Sequence, residues 1–247
     1  MLWSLNHLRR YRIRATDGSL GAVEDLFFDD VAWTVRYLVV DTAWLFGRRV
    51  LLPPEVLGHP DAVAREFPVA LTKEQVKGSP DIDADQPVSR QQEIDLYGYY
   101  GWAPYWGIWA LPPESMASPA AAPPAGAEPA ASERPSGDPH LRSGRELSGY
   151  HLRATDEAVG HVADLLVDEA GWVIRYLVVG TGNWLPGRKV LLAPSWVRAI
   201  SWAERDVVVA LSRAEIESSP EYDPAADVER DYEDRLHRHY GRTGYWI

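Results

Sequence analysis

The sequence predicts a mainly β protein: two small antiparallel β-barrels, each with a short C-terminal helical and aromatic extension. Three observations predict it: an internal repeat, a side-chain period of two within each copy, and a proline- and alanine-rich stretch between the copies. Ala15-Thr16-Asp17, Gly21, Asp25-Leu26, Asp29, Trp33 and the run Arg36 to Val40 return as Ala154-Thr155-Asp156, Gly160, Asp164-Leu165, Asp168, Trp172 and Arg175 to Val179. At that offset of 139, 14 of the 26 positions from Ala15 to Val40 match. An extra residue before Trp184 moves the offset to 140, which holds for Ser79-Pro80/Ser219-Pro220 and Tyr105-Trp106/Tyr245-Trp246. A repeat marks the positions that one unit needs in order to fold. The expected layout is a first module over 1–110, a linker over 111–143 and a second module over 144–247.

Taken in order, Tyr11-Arg12-Ile13-Arg14 alternates, and Ala15-Thr16-Asp17-Gly18 supplies a turn before a strand over Ala22 to Phe28. Strands over Val35 to Val40 and Arg49 to Leu52 follow, separated by a turn at Gly47. In the second copy Trp196 to Trp202 and Asp206 to Ala210 form a further pair around Ala203-Glu204-Arg205. Short strands at close spacing suit a small barrel that closes its own edges. Gly21 and Gly160 sit where a hairpin returns, and the simplest account is a bulge or positive-φ site that a side chain would obstruct.

Alternation fails in Val35-Arg36-Tyr37-Leu38-Val39-Val40. If Val35, Tyr37 and Val39 line the interior, Leu38 and Val40 point outwards, so something must cover the outer face. The tail of each copy is the candidate. Thr72-Lys73-Glu74-Gln75 and Ser212-Arg213-Ala214-Glu215 read as capping boxes that open a short helix, and Ser79-Pro80 and Ser219-Pro220 stop it. A second helix follows, with Val228, Tyr232, Leu236 and Tyr240 as its stripe and Val88, Gln92, Leu96 and Tyr100 at the same places in the first copy. Gly101 and Gly241 stand where a left-handed residue ends a helix. Beyond them lie Trp102, Tyr105, Trp106 and Trp109, and Tyr245 and Trp246.

The stretch from Leu111 to Ser143 carries Pro112-Pro113, Ala120-Ala121-Ala122-Pro123-Pro124, Pro129 and Pro135 without hydrophobic periodicity. It reads as a semi-extended linker, so the two modules are expected to tumble independently.

Composition narrows the function classes. Net charge is −11 over 247 residues with 46% apolar content, an acidic balance that argues against tracking a phosphate backbone. Zero cysteines remove disulfide, thiolate-zinc and thiol chemistry and fit a reducing compartment. The N-terminus lacks the apolar core of a signal peptide, and no apolar run approaches the roughly 20 residues that span a bilayer. A cytoplasmic chain without a transmembrane segment is expected.

Turn chemistry, Gly21, Asp29, Trp33, Arg36-Tyr37-Leu38-Val39-Val40, Gly47-Arg48 and Leu51-Leu52-Pro53 together resemble the PRC-barrel family. Ser79-Pro80-Asp81-Ile82-Asp83, Pro87-Val88-Ser89-Arg90-Gln91 and Tyr99-Tyr100-Gly101-Trp102 resemble the tail of its bacterial stand-alone branch. The second copy departs from that tail, with Arg242-Thr243 for Trp102-Ala103 and His237-Arg238-His239 among the aromatics. Related barrels occur in the photosynthetic reaction-centre H subunit and in a maturation factor for 16S rRNA processing, where they dock onto larger assemblies. The resemblance therefore implies a tandem PRC-barrel protein whose modules are docking units.

Four constellations carry alternative readings. His237 and His239 lie near Glu233 and Asp234, but residues two apart on a helix point about 200 degrees apart, so a solvated helix end is favoured over a metal site. Asp25 and Asp29, repeated as Asp164 and Asp168, would stand roughly 13 Å apart along a strand; turn bonding or pairing with Arg36 and Arg175 is favoured over acid–base work. Arg48-Arg49 and Arg188-Lys189 read as strand-end charges rather than a phosphate site. The aromatic tails are either buried on the barrel or exposed to a partner, and Tyr99, Tyr100, Trp102, Tyr105, Trp106, Trp109, Tyr240, Tyr245 and Trp246 are the candidate partner-binding residues. No catalytic, cofactor-binding or metal-ligating residue is assigned, because no phosphate loop, nucleophile elbow or metalloprotease pattern occurs. The expectation is a non-enzymatic scaffold or adaptor that docks a protein partner or a second copy, with a homodimer as one form. An auxiliary role in electron or proton transfer through Asp29 and Asp168 is the alternative reading, and ribosome or rRNA association a third.

Overall fold

The computed structural model describes residues 1–42, 48–80, 88–106, 140–182 and 187–246; the Gly47 turn, Trp109 and linker positions 111–139 lie outside them. The first copy runs β1 (Leu2–Ser4), a one-turn helix α1 (Leu5–Leu8), β2 (Arg12–Ala15), β3 (Gly18–Asp29), β4 (Thr34–Asp41), β5 (Arg49–Leu52), β6 (Glu66–Pro68), α2 (Lys73–Lys77) and α3 (Arg90–Tyr100). The second runs β7 (Leu141–Ser143), α4 (Gly144–Leu147), β8 (His151–Arg153), β9 (Ala158–Asp168), β10 (Val173–Gly180), β11 (Lys189–Leu192), β12 (Val197–Ser201), β13 (Asp206–Val209), α5 (Arg213–Glu217) and α6 (Arg230–His239). The chain is mainly β, as expected, and its last three linker positions, Leu141 to Ser143, are a strand.

The strands do not sort into two self-contained antiparallel barrels. Among the described residues, 13 strands form one sheet in the order β12-β13-β8-β9-β10-β4-β3-β2-β6, with β1, β11, β5 and β7 joined to its inner strands. The sheet curls as a half-barrel, and two of its pairings, β2 with β6 and β8 with β13, are parallel. Continuity through the middle has a specific cause: each copy gives its first strand to the other. β1 pairs with β9, setting Trp3 opposite Val167, and β7 pairs with β3, setting Arg142 opposite Phe28. Because β3 and β9 are 12 and 11 residues long, each outruns its hairpin partner and leaves a free edge for the visiting strand.

Between the visiting strands the halves meet directly. Val35 N donates to Trp172 O and Ile174 N donates to Trp33 O, both at 2.7 Å, across the Thr34/Val173 pair. Trp33 and Trp172 hold left-handed φ values of 54° and 49° to make this turn, a conformation that costs a bulky side chain energy. One hydrophobic cluster then runs through both halves, from Leu5 and Tyr11 to Tyr150 and Tyr176. The expectation of independently tumbling modules is thereby corrected: one sheet and one core span the pair.

Local expectations fare better. Both capping boxes form, at Thr72/Gln75 and Ser212/Glu215. Gly101 and Gly241 take φ of 69° and 60° after α3 and α6. At Gly21 an added Cβ would sit 2.1 Å from Asp41 O, and at Gly160 2.0 Å from Gly180 O. The neighbouring strand's backbone forbids a side chain, beside a register shift in the β2–β3 and β8–β9 pairs. Val35 enters the large shared core as expected, but beyond it the faces of β4 are reversed. Leu38 and Val40 enter the large shared core, whereas Tyr37 and Val39 join Phe27, Leu51, Val88, Leu96 and Tyr97 beneath the C-terminal arm. The strand is covered on both sides, with the assignment of sides exchanged.

Candidate interaction surface

Each arm is a helix plus an aromatic tail, and each is fastened by a buried carboxylate. In α3 the fully buried Glu93 accepts from the Tyr37 hydroxyl on β4 (2.7 Å) and the Tyr105 hydroxyl in the tail (2.9 Å), and pairs with Arg90 at 2.8 Å. In α6 Glu233 does the same with Tyr176 (2.9 Å), Tyr245 (2.9 Å) and Arg230 (3.0 Å). Burying a carboxylate is costly unless bonds satisfy it, and here one carboxylate ties helix, strand and tail together. Burial, followed by the glutamate charge, pushes the Tyr37 and Tyr176 hydroxyls far above the ordinary phenol range. Tyr245 is pushed up to about 12 by burial and by its bond to Glu233.

Arginines close the arms from outside. Arg36 lies over the Tyr105 ring at 4.1 Å and Arg90 over Trp106 at 4.4 Å; Arg175 over Tyr245 at 4.0 Å and Arg230 over Trp246 at 4.2 Å repeat the pattern. Partly desolvated stacks of this kind stabilise by about 0.5–2 kcal/mol.

The nominated aromatics are thus placed mainly against the protein itself. Tyr100 stacks on Trp102 at 4.1 Å, Trp106 packs edge-on to Tyr97 at 5.0 Å, and Tyr240 is buried against Trp196 at 4.6 Å. Tyr99 and Tyr245 keep the most surface, at 45% and 39% exposed, while the Tyr99 hydroxyl donates to Gln75 O at 2.9 Å. Trp109 lies outside the described residues.

The histidine reading needs correcting. His237 is not part of a solvated helix end: it is buried, its Nδ1 meets Thr243 O at 3.1 Å and its Nε2 meets the Tyr176 hydroxyl at 3.1 Å. Burial depresses its pKa below the ordinary imidazole value, against the opposing pull of Thr243 O and Glu233. His239 is exposed and meets Glu215 O.

The repeated aspartates divide their labour. Asp29 and Asp168 bond turn amides and pair with Arg36 and Arg175 at 3.2 and 3.0 Å. Burial alone would raise the Asp29 pKa, but the Ala32 and Val31 amides and the guanidinium outweigh it and hold it low. Asp25 and Asp164 instead receive the exchanged segments. Asp25 accepts from Ser143 Oγ (2.5 Å) and Arg145 N (2.9 Å), and Asp164 from Ser4 Oγ (2.5 Å) and Asn6 N (3.1 Å). For Asp25, burial outweighs these bonds and raises the pKa.

Arg48 and Arg188 are likewise not solvating charges. Arg48 donates to Val76 O, Lys77 O and Ser79 O at the end of α2, and Arg188 donates to Ser219 O after α5. Sequence reasoning missed Tyr37, Glu93, Tyr176, Glu233, Ser4 and Ser143. A usable signal was the identity of Tyr37/Tyr176 and of the Arg90/Glu93 and Arg230/Glu233 spacing in both copies.

Among the described residues no group of three or more His, Cys, Asp or Glu side chains is arranged to hold a metal, and no helix is long and apolar enough to cross a membrane. The PRC-barrel domain family model matches residues 139–215. The match takes in β7 to the start of α5, and the described residues between 1 and 80 form a second barrel-like region with the same order of pairings apart from β12. No curated protein matches the chain.

Proposed function

We propose that the chain is a non-enzymatic scaffold or adaptor, a pair of fused PRC-barrel-like halves that present the outer faces of two C-terminal arms to a protein partner. The observation that carries this reading is the arm itself. A buried Glu93 or Glu233, with its tyrosines and arginines, fixes an aromatic surface on a body whose halves share one core. Two arms on one rigid body engage a partner at a set spacing, which raises avidity more surely than two modules on a loose tether. Tyr99 and Tyr245, the most exposed of the nominated aromatics, are the contact residues of this reading. The match of residues 139–215 to a domain found in docking roles supports it by analogy. The pairing of Asp29 and Asp168 with arginines favours docking over proton transfer through those carboxylates.

The test uses the full chain as bait in extracts of its native cell, beside a Tyr99→Ser, Tyr245→Ser double variant. Sedimentation of each alone detects pairing with a second copy. A stoichiometric protein partner retained by the native chain and depleted at least tenfold by the variant is expected, since exposed aromatic anchors carry much of an interface's energy. Equal retention by both chains, or turnover of a small molecule that survives the double substitution, would count against docking through the arms.

A further inference from the structure

The near-symmetry of the two halves exposes a place where one is complete and the other lacks a group. In the first half, Glu24 on β3 bridges two cations. Arg49 on β5 grips it through Nε and Nη2 at 2.6 and 2.9 Å, and Arg145 of the exchanged helix reaches it at 3.0 Å. The bridge fills its surroundings, leaving a crevice of only about 10 Å³ among Glu24, Asp25, Arg49 and Arg145. The corresponding residues of the second half are Ala163 for Glu24, Lys189 for Arg49 and Asn6 for Arg145. The bridging carboxylate is missing, and the Lys189 ammonium makes no ion pair among the described residues. A groove of about 720 Å³ opens there instead, walled by Asn6, Asp164 and Lys189 together with α1 and β3.

More positive charge converges on this groove. Arg9 and Arg10, whose counterparts are Ser148 and Gly149, line it without a side-chain ion pair among the described residues, and His7 stands beside them. Of the acidic groups on the wall, Glu24 is held by two arginines, and Asp164 by the Ser4 hydroxyl and the Asn6 amide. Asp41 is the third. Unpaired cations gathered in one concavity are unexpected in a chain of net charge −11, and the volume falls in the ordinary range for small-molecule sites.

We propose that this groove binds a small molecule with a phosphate or carboxylate head, whose oxyanion takes the place on Lys189 that Glu24 takes on Arg49. Arg9 and Arg10 supply further charge-assisted bonds. The site is independent of the arm surfaces and stands whether or not they dock a partner.

Pyrophosphate and citrate, titrated separately into the full chain at low ionic strength, are the probes, followed by calorimetry and by amide shifts. One or both should bind saturably, with shifts centred on residues 4–10 and 189. The probe that binds more tightly identifies the head group. Lys189→Met should weaken binding about tenfold or more, the scale of one charged hydrogen bond. Ala163→Glu should do the same by rebuilding the internal bridge, without lowering the thermal midpoint. Lys73→Met, outside the groove, should leave affinity unchanged. Absence of saturable binding below about 10 mM, or affinity indifferent to both Lys189→Met and an Arg9→Met, Arg10→Met pair, would overturn the proposal. Equal weakening by Lys73→Met would overturn it too, by reducing the effect to net charge.

Discussion

At the residue scale the two halves differ most where they are otherwise most alike. Position 237 carries histidine and its counterpart, position 97, carries tyrosine, each inside a buried network beneath an arm. Around His237 stand Arg230, Glu233 and Asp234 from its own helix, Tyr176 from β10, Trp196, and Trp246 from the tail. Burial lowers the imidazole pKa, so the unfolded chain binds the proton more readily than the folded one. The stabilisation is complete above the unfolded value near 6.5 and is lost as pH falls through the folded one. Thermal midpoints of the native chain should therefore decline on acidification from pH 7 to pH 5. His237→Tyr, which copies the first arm, should flatten that decline. Parallel pH profiles for the two proteins would mean that the acid sensitivity resides elsewhere. The carboxylates contribute oppositely in part: burial raises the Asp25 pKa, so its ionisation is a cost that sets in as pH rises through the folded value.

At the element scale, backbone constraints write themselves plainly into sequence, while buried polar contacts do not. Gly21 is the clear case, since a Cβ would stand 2.1 Å from Asp41 O. Gly21→Ala should cost roughly 3 kcal/mol, as overpacking against a fixed strand does; denaturant unfolding with an unchanged slope measures it. A loss under about 1 kcal/mol would show that β4 yields. The capping boxes and left-handed glycines were equally legible, because each depends on a few neighbouring residues. The buried stripe of α3 and α6 was only half legible. Leu96 and Leu236 were found, but the buried Glu93 and Glu233 were left out of the stripe, since a hydropathy pattern counts any glutamate as polar surface. The faces of β4 were exchanged for a related reason: Tyr37 belongs under the arm because its hydroxyl needs Glu93, a partner 56 positions away.

At the scale of the whole molecule, the repeat was legible and the joining of its copies was not. Leu2 to Ser4 and Leu141 to Ser143 are each three residues long, too short to signal a strand, and nothing local says which β-edge a strand will take. Ser4 and Asp164, 160 positions apart, reveal the exchange only once folded. The same geometry sets the final expectation. Each half contributes a strand and a one-turn helix to the other, anchored by Asp25 and Asp164, and the Trp33 and Trp172 turns bond across the seam. Covalent continuity between the halves is then unnecessary for their association. A specific protease site placed after Gly126, cut to completion, should leave both fragments eluting together at the 27.7 kDa position of the intact chain. They should separate only in denaturant. Asp25→Ala with Asp164→Ala removes the receivers of both exchanged segments, at about 1–3 kcal/mol for each set of donors left unbonded, and should make the cut pair dissociate more readily. Fragments of the uncombined native pair that part under native conditions would show the tether, rather than the exchange, to be what holds the halves in one body.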